Sequence, residues 1–221
     1  MLRHAWDITP KEAIQLQKRL SLLVRETPVT GEVHTVAGTD CAFLDGGRRI
    51  VASVVLCDAK SMEPIAAVDE IRPCKFPYVP GLLSFREAPA VIAAVGKLGE
   101  EPDLLLCDGQ GRAHPRGLGL ASHVGLWVEI PTIGVAKSRL CGEYREPGTR
   151  RRCRTQLNLD GKVIGAVVRT RTAVKPLFVS VGHRVTLDNA VRCTLRCTRG
   201  VRLPEPNRLA HRRVTDLRKR L

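Results

Sequence analysis

The chain has 221 residues but no long apolar run. No stretch approaches the roughly 20 consecutive apolar residues that a membrane-spanning helix needs. The segment Met1–Trp6 also lacks the basic stretch followed by an apolar run that is typical of a secretory signal. We therefore expect a cytoplasmic protein with no membrane partner.

The eight cysteines do not follow the spacing of a disulfide framework or of a zinc site. Most of them lie far apart, and a chain of this size can build a core without disulfide bonds. Cys193 and Cys197 would share one helix face, but no second pair or neighbouring histidine completes a zinc site. Repeats, low-complexity tracts and coiled-coil patterns are missing as well, so we expect one globular domain over residues 1–221, acting as a monomer.

Acidic residues are few, since 22 carboxylates face 36 lysines and arginines, which gives a net charge of +14. A field of this sign favours polyanions, and nucleic acid is the natural partner. The basic residues are concentrated in Arg145–Arg154 and in Arg192–Arg220. A solvated arginine-rich surface is the alternative interpretation of the same charge.

Hydrophobic periodicity predicts an α/β fold, in which an antiparallel meander is followed by parallel strands in one mixed sheet flanked by helices. Helices are expected over residues 9–25, 84–98, 117–128 and 187–198, and strands over 35–44, 49–58, 64–71, 103–107, 132–136, 157–159, 162–169 and 177–181. Residues 143–155 are expected to form an exposed insertion. The basic tail, residues 208–221, is expected to be helical or partly disordered.

The segment LLLCDGQGRAHP, residues 104–115, is the strongest single indication of function. Its continuous apolar run is typical of a strand buried on both faces, and it ends in Asp108, followed by glycines and His114. Such a strand end can present a metal-binding carboxylate and a proton carrier to a ligand. Asp-Gly with further glycines is equally the sequence of an ordinary turn.

Two further carboxylates accompany Asp108. Asp40 lies within the first predicted strand, and Glu87 lies one turn into a helix that Ser84 is expected to cap. If the first and fourth strands are neighbours, the three carboxylates converge. Carboxylates that meet at neutral pH repel one another, so their arrangement indicates a compensating Mg²⁺ or Mn²⁺ ion and phosphoryl-transfer chemistry.

Three basic side chains are candidates to assist. Lys137 follows a strand and can reach a phosphate or an attacking water, or it is an ordinary lysine at the start of a helix. His114 can shuttle a proton or bind phosphate, or it stabilises the glycine-rich turn. His183, at another strand end, can approach the metal centre, although bonding to loop carbonyls is the favoured interpretation. The other histidines carry no motif, and His123 is expected in the core.

Several motifs in order resemble the endonuclease V family of inosine-directed nucleases. They are VAGTD at 36–40, PYVPGLLSFRE at 77–87, DGQGRAHPR at 108–116, PTIGVAK at 131–137 and GHRV at 182–185. The resemblance implies a ribonuclease H-like fold, and it implies Asp40, Glu87 and Asp108 as metal ligands with Lys137 and His114 assisting. Gln110 departs from relatives that have histidine there, which leaves substrate preference open.

The same resemblance implies how a base is recognised. The tetrapeptide PYVP, with Pro77, Tyr78 and Pro80, is similar to the family's wedge, because stiff prolines can hold an aromatic ring where it enters a base stack. A buried tyrosine in a tight loop is the alternative. The positions that match the family's base pocket are Gly81, Leu83, Gly109, Gly111 and Leu140.

The carboxylate cluster and the resemblance to endonuclease V together imply a Mg²⁺-dependent DNA repair endonuclease, with Mn²⁺ able to substitute. It would recognise deoxyinosine in DNA and hydrolyse the second phosphodiester bond on the 3′ side, leaving a 3′-hydroxyl and a 5′-phosphate. One alternative is an endoribonuclease that acts on inosine-containing single-stranded RNA. Another is a non-catalytic nucleic-acid-binding protein, which the intact carboxylates and Lys137 disfavour.

Overall fold

The computed structural model describes residues 4–220, and within that range nine strands form one sheet. The strands are β1 Thr35–Leu44, β2 Arg49–Asp58, β3 Pro64–Pro73, β4 Leu104–Cys107, β5 Thr132–Ala136, β6 Glu143–Tyr144, β7 Arg154–Leu159, β8 Lys162–Val168 and β9 Leu177–His183. Their order across the sheet is β3-β2-β1-β4-β5-β9-β8-β7-β6. The ends of the predicted domain, Met1 to Arg3 and Leu221, lie outside the described residues.

Helices cover both faces of the sheet. They are α1 Pro10–Ser21, α2 Ser84–Val95, α3 Leu120–Val128, α4 Leu187–Arg196 and α5 Glu205–Arg220. Strand β4 is buried on both faces, which explains why its sequence is apolar throughout. Leu104 and Leu106 pack into one hydrophobic core, whereas Leu105 and Cys107 pack into the other. The predicted α/β class with a mixed sheet flanked by helices is confirmed. No helix among residues 4–220 is long and apolar enough to cross a lipid bilayer.

The predicted parallel half of the sheet is only partly parallel. Strands β1, β4 and β5 run parallel, but β9 is antiparallel to β5, and the remaining strands continue antiparallel to the edge. Period-two patterns report which face a side chain occupies and carry no information on strand direction. This direction decides where the end of β9 lies.

The first helix ends earlier than predicted. Thr9 caps it in a reciprocal pair with Glu12, as the Thr-Pro start indicates, but α1 stops at Ser21 rather than at residue 25. Leu23, which continues the helical spacing, lies beyond this end and is nearly half exposed. The apolar spacing alone therefore overstated the length of the helix.

Two helix starts also differ from prediction. Leu83, not Ser84, is the N-cap of α2, and it makes no side-chain capping bond. Helix α3 begins at Leu120 rather than at residue 117, because Gly119 lies against the carbonyl of Gln110, where a Cβ would come within 2.3 Å of the oxygen. Residues 117–119 are thus part of the loop that follows β4.

The basic tail is neither disordered nor peripheral, since helix α5 begins at Glu205 and packs across β1 and β2. Asn207, Ala210 and Val214 are buried on its inner face. The Asn207 amide donates to the carbonyls of Thr39, at 3.2 Å, and of Leu106, at 2.9 Å. The helix therefore fastens β1 to β4 beside the predicted carboxylates.

Residues 143–155 are largely exposed, as predicted, but they are bonded to the rest of the domain. They contain the short strand β6, a turn and the start of β7, and the turn is bonded to the body of the protein by Arg169. The Arg169 side chain, which is buried, donates to the carbonyls of Gly148 and Pro147 and pairs with Glu146 at 2.7 Å.

Candidate active site

The predicted neighbours β1 and β4 are paired in parallel, with Thr39 opposite Cys107. Each partner is followed by an acidic residue, so Asp40 and Asp108 come to the same end of the two strands, close enough for Asp40 to raise the pKa of Asp108. Glu87, on the first turn of α2, is close enough to repel both carboxylates. The structure thus brings together the three predicted carboxylates.

Burial makes this cluster electrostatically costly. Glu87 is 9% exposed, and burial together with the charges of Asp108 and Asp40 raises the pKa of Glu87 to about 8. Burial and the contact with Asp40 raise the pKa of Asp108 to about 6, although Lys137 acts in the opposite direction. A site that disfavours negative charge to this extent is suited to a cation.

Two basic side chains contact the carboxylates from distant parts of the sequence. The Lys137 ammonium, at the end of β5, lies 2.5 Å from Asp108 Oδ2. His211 Nδ1, on α5, lies 2.5 Å from Asp40 Oδ2. Sequence reasoning missed His211 because no motif surrounds it. The signal was available in the spacing of Asn207, Ala210 and Val214, which places one face of a helix against the sheet.

The chemistry of the cluster fits a hard divalent cation. Its donors are carboxylate oxygens, the ligands that Mg²⁺ and Mn²⁺ prefer, and the raised pKa values of Glu87 and Asp108 reflect a shortage of positive charge. Among residues 4–220, no three His, Cys, Asp or Glu side chains are arranged so that they could hold a metal ion without moving. Asp40 and Asp108 instead bind His211 and Lys137.

A cavity of about 390 Å³ opens beside the carboxylates. Its wall includes Asp108 and Lys137 together with six of the predicted substrate-binding residues, namely Tyr78, Pro80, Gly81, Leu83, Gly109 and Leu140. This volume lies in the range of about 300–1,000 Å³ that is usual for small-ligand pockets. It is large enough for one extruded nucleotide base.

Tyr78 projects from the rim of the cavity and is 69% exposed, so the alternative of a buried tyrosine is wrong. The Arg86 guanidinium lies 5.9 Å from the centre of the Tyr78 ring and 4.3 Å from that of Phe43. It also donates to the carbonyl of Gly47. Arg86 thereby anchors the rigid loop that presents the ring.

Two predicted pocket residues lie elsewhere. Pro77 lines a neighbouring depression with Trp6 and Phe76, not the cavity beside Asp108. Gly111 lies under β9, where a Cβ would come within 2.0 Å of the Val181 carbonyl oxygen. Glycine is needed at position 111 for close packing of the chain, and this residue does not line the cavity.

His114 fastens two loops of the cavity wall. Its Nδ1 accepts the Arg116 amide at 3.1 Å, so the ring proton is on Nε2, which donates to the Gly81 carbonyl at 3.0 Å. Burial and Arg116 lower the pKa of His114 to about 4, which keeps the ring neutral. Both nitrogens are occupied, so the geometry favours the structural alternative over a proton shuttle.

His183 does not join the carboxylates. It pairs with Thr132 at the start of β5, the opposite end of that strand from Lys137. Its Nδ1 accepts the Arg25 amide at 3.3 Å, and its Nε2 lies 3.6 Å from Glu129. Because β9 is antiparallel to β5, the carboxyl end of β9, where His183 lies, is beside the start of β5 and away from Lys137.

A buried chain of hydrogen bonds reaches the cavity wall from behind. His4 Nδ1 donates to the Ala5 carbonyl, so His4 Nε2 is an acceptor, and it receives the indole N–H of Trp127 at 3.1 Å. His123 Nε2, 2.9 Å away, must therefore donate to His4, and His123 Nδ1 accepts the Ser84 hydroxyl at 3.0 Å. The expected core position of His123 is found, and Ser84 faces the cavity as an acceptor.

Comparisons with known proteins agree with this architecture. The family model described as Endonuclease V matches residues 15–212. The chain is 46% identical to the Endonuclease V of Gloeobacter violaceus, over 98% of this chain and 89% of that protein.

Solved structures extend the likeness. The Endonuclease V structure from Streptomyces avermitilis superposes with a TM-score of 0.90 at 41% identity, and covers 99% of this chain and 97% of the other. Endonuclease V from Ciona intestinalis, 26% identical with a TM-score of 0.81 over 96% of this chain and 99% of that one, was solved with a 23mer DNA containing an inosine followed by a ribo-adenosine.

Proposed function

Because the chain belongs to the Endonuclease V family and is therefore a nuclease, we propose that it is a divalent-metal-dependent DNA repair enzyme that recognises deoxyinosine. It hydrolyses the second phosphodiester bond on the 3′ side of the lesion and leaves a 3′-hydroxyl and a 5′-phosphate.

One observation carries this proposal: the cluster of three carboxylates, of which Asp40 and Glu87 are buried, adjoins a cavity that is large enough for a single base. Asp108 belongs to both, since it contacts Asp40 and lines the cavity. A base held in that cavity brings the backbone on its 3′ side close to Asp108 and Lys137, which meet at 2.5 Å. Recognition and hydrolysis are therefore adjacent, as an enzyme that cuts near a modified base requires.

The cavity reads the base mainly through its backbone and small residues. Gly81 has φ of 79°, a conformation that favours glycine, and its carbonyl accepts bonds from Gln17, His114 and Arg116. This loop is consequently rigid before the substrate arrives. Tyr78, exposed at the rim, fills the gap that the extruded base leaves in the stack.

Asp40, Glu87 and Asp108 would hold Mg²⁺, or Mn²⁺ in its place, and the bound ion would supply a water of lowered pKa and a charge that stabilises the phosphate. Lys137 is the cation that this chain itself supplies next to the reacting phosphate, and it keeps Asp108 ionised. His211 orients Asp40. His114 holds the Gly81 loop and is a positioning residue.

The test is a duplex that carries one deoxyinosine, incubated with Mg²⁺ or with a chelator and analysed on a denaturing gel. We expect a Mg²⁺-dependent nick directly after the lesion's 3′ neighbour, at the second phosphodiester bond, and none in the same duplex with deoxyadenosine. Asp108→Asn abolishes the nick but retains binding. Asp160→Asn is the matched control, because Asp160 lies in an exposed turn with φ of 49°, which asparagine tolerates.

A single-stranded RNA of the same sequence with one inosine distinguishes the proposed DNA endonuclease from the alternative of an endoribonuclease. Cleavage of the RNA alone would replace the proposed substrate, and binding without cleavage of either would identify a non-catalytic protein.

A further inference from the structure

A second cavity, of about 580 Å³, lies apart from the carboxylates on the face covered by α4. Its polar lining is almost entirely cationic and comprises Arg151, Arg152, Arg154, Arg192, Arg196 and Arg199. Lys60, on the turn between β2 and β3, closes one side. No aspartate or glutamate is among the residues that line this arginine cavity.

Like charges in one cavity repel, so the arrangement is unfavourable unless an anion binds there. Arg192 and Arg196 are one helical turn apart on α4, and both are exposed, which places two cations on one stripe of the helix. The carboxylate that contacts the cluster, Asp188, pairs with Arg154 at 3.2 Å and is itself 86% exposed. It offsets only a small part of the charge.

The turn that carries the remaining arginines is held in a fixed conformation. Arg152 has φ of 75°, in the left-handed region that residues other than glycine rarely adopt. Its amide donates to the Arg169 carbonyl at 2.8 Å, and this bond fixes the turn. The backbone strain persists because the surrounding bonds impose it, which is characteristic of binding sites.

Arg151 is fixed as well. Its guanidinium donates to the carbonyls of Thr170 and Leu195 and to the Thr198 hydroxyl, at 2.8 to 3.2 Å. These bonds join the turn before β7 to the end of α4, so the two walls of the arginine cavity are rigidly connected. A preformed cationic site loses little side-chain entropy when an anion binds.

Hydrogen bonds connect the arginine cavity to the active site. Thr170, whose carbonyl binds Arg151, donates through its hydroxyl to the Arg202 carbonyl at 2.6 Å. Arg202 in turn donates to the carbonyl of Lys137 at 2.6 Å. These bonds connect the wall of the arginine cavity to the backbone of Lys137, the residue that contacts Asp108.

We propose that the arginine cavity binds backbone phosphates of nucleic acid outside the cleaved segment, as an accessory anchoring site. The inference relies on the proposed function in taking nucleic acid as the ligand. Phosphates follow one another every 1.7 Å along a duplex axis, counting both strands, so a rigid cluster of arginines can engage several of them without reading sequence.

The test variant is Arg192→Gln/Arg196→Gln. Both side chains are exposed on α4, and glutamine retains helix propensity, so the fold is preserved. Arg218→Gln/Lys219→Gln removes the same charge from the exposed end of α5 and is the matched control. Affinity for a duplex of about 40 base pairs without inosine, roughly 136 Å long, is measured in chelator at several salt concentrations.

If each lost arginine contacts one phosphate, the slope of log affinity against log salt becomes shallower by about 0.9 per contact, or roughly an eightfold loss per contact at 0.1 M relative to 1 M salt. The control variant should retain the wild-type slope. The single-turnover rate at saturating protein on an inosine duplex should not change, because the site anchors the nucleic acid without touching the reacting phosphate. Thermal stability of the variant should equal or exceed that of the wild type, since a like-charge pair is removed.

Equal affinity and equal salt slope for the test and control variants would overturn the proposal. Weaker binding of inorganic tripolyphosphate with unchanged duplex binding would assign the cavity to a small polyphosphate and overturn it too. Binding in chelator does not depend on cleavage. A protein that fails to nick deoxyinosine DNA would contradict the proposed function, but the comparison of duplex affinities between the variants would still test the arginine cavity.

Discussion

Substitution of Glu87 by glutamine should stabilise the protein in the presence of a chelator at neutral pH. The carboxyl is buried, and its pKa is raised from 4.5 to about 8 by burial and by Asp108 and Asp40. The folded protein therefore holds a proton that the unfolded chain releases. The contribution of Glu87 to stability is greatest below pH 4.5 and is lost as pH rises towards 8, because the unfolded state binds fewer protons at this group over that range.

The magnitude follows from the shift. Each pKa unit corresponds to 1.36 kcal/mol, so a shift of about 3.5 units gives an upper limit of about 5 kcal/mol above pH 8, and about 4 kcal/mol at pH 7.5. Glutamine keeps the shape of the protonated acid and is neutral at every pH. For a chain of this length, about 4 kcal/mol corresponds to a rise in melting temperature of roughly 8–16 °C.

Thermal unfolding of wild type and Glu87→Gln with EDTA, at pH 4.5 and at pH 7.5, measures the effect. We expect similar melting temperatures at pH 4.5 and a more stable variant at pH 7.5. Addition of Mg²⁺ should stabilise the wild type more than the variant. Glu101→Gln, at an exposed position, is the control and should melt like the wild type at both pH values. A Glu87→Gln protein that melts at or below the wild type at pH 7.5 in EDTA would refute the electrostatic reasoning.

Three further substitutions test other parts of the site. Tyr78→Ala should weaken binding of deoxyinosine DNA by about 1–3 kcal/mol while leaving undamaged duplex unaffected, and equal losses in a binding titration would reject the wedge role. Gly111→Ala should lower the melting temperature by roughly 6–12 °C, because its Cβ would lie 2.0 Å from the Val181 oxygen; Gly96→Ala, at a helical φ with its nearest contact at 3.5 Å, should not. His211→Ala should reduce cleavage roughly 10–100-fold in single-turnover assays, with partial activity for His211→Asn, which can still donate to Asp40. Identical rates for His211→Ala and wild type would dismiss its orienting role.

The carboxylate cluster was predictable because its geometry depends on local signals. An apolar strand ending in Asp108 and an acidic residue inside the first strand needed only the adjacency of β1 and β4 to converge. The predicted meander made that adjacency plausible, and the parallel pair realises it. Ligand chemistry then followed from charge repulsion alone.

The position of His183 was not predictable in this way. A sequence shows that a histidine ends a strand but not at which edge of the sheet that strand ends. Only the antiparallel pairing of β9 with β5 decides it, and that pairing depends on the connection through β6, β7 and β8. Non-local pairing of this kind leaves no trace in short motifs.

Helix α5 was underestimated for a different reason. Its surface is strongly basic, so composition suggested a tail, whereas its inner face is made of small or polar residues. Close packing of α5 on β1 explains why that face has small residues. A Cβ at Gly38 would come within 2.3 Å of the backbone nitrogen of Asn207. A helix that packs so closely on a strand buries little apolar volume, and hydrophobic periodicity therefore gives it a weak signal.

The consequence for the active site is an asymmetry among its carboxylates. Asp108 is paired with Lys137, which follows β5, and Asp40 is hydrogen-bonded to His211 from α5, so each has a partner side chain brought by the fold. Burial, Asp108 and Asp40 all raise the pKa of Glu87, and the opposing effect of Arg86 is the smallest of the four. Glu87 is thus the carboxylate whose ionisation depends most on a cation from outside the chain, and metal binding near neutral pH should release a proton from it. The electrostatic cost of the cluster and the divalent-ion binding that we propose for it then have the same physical cause.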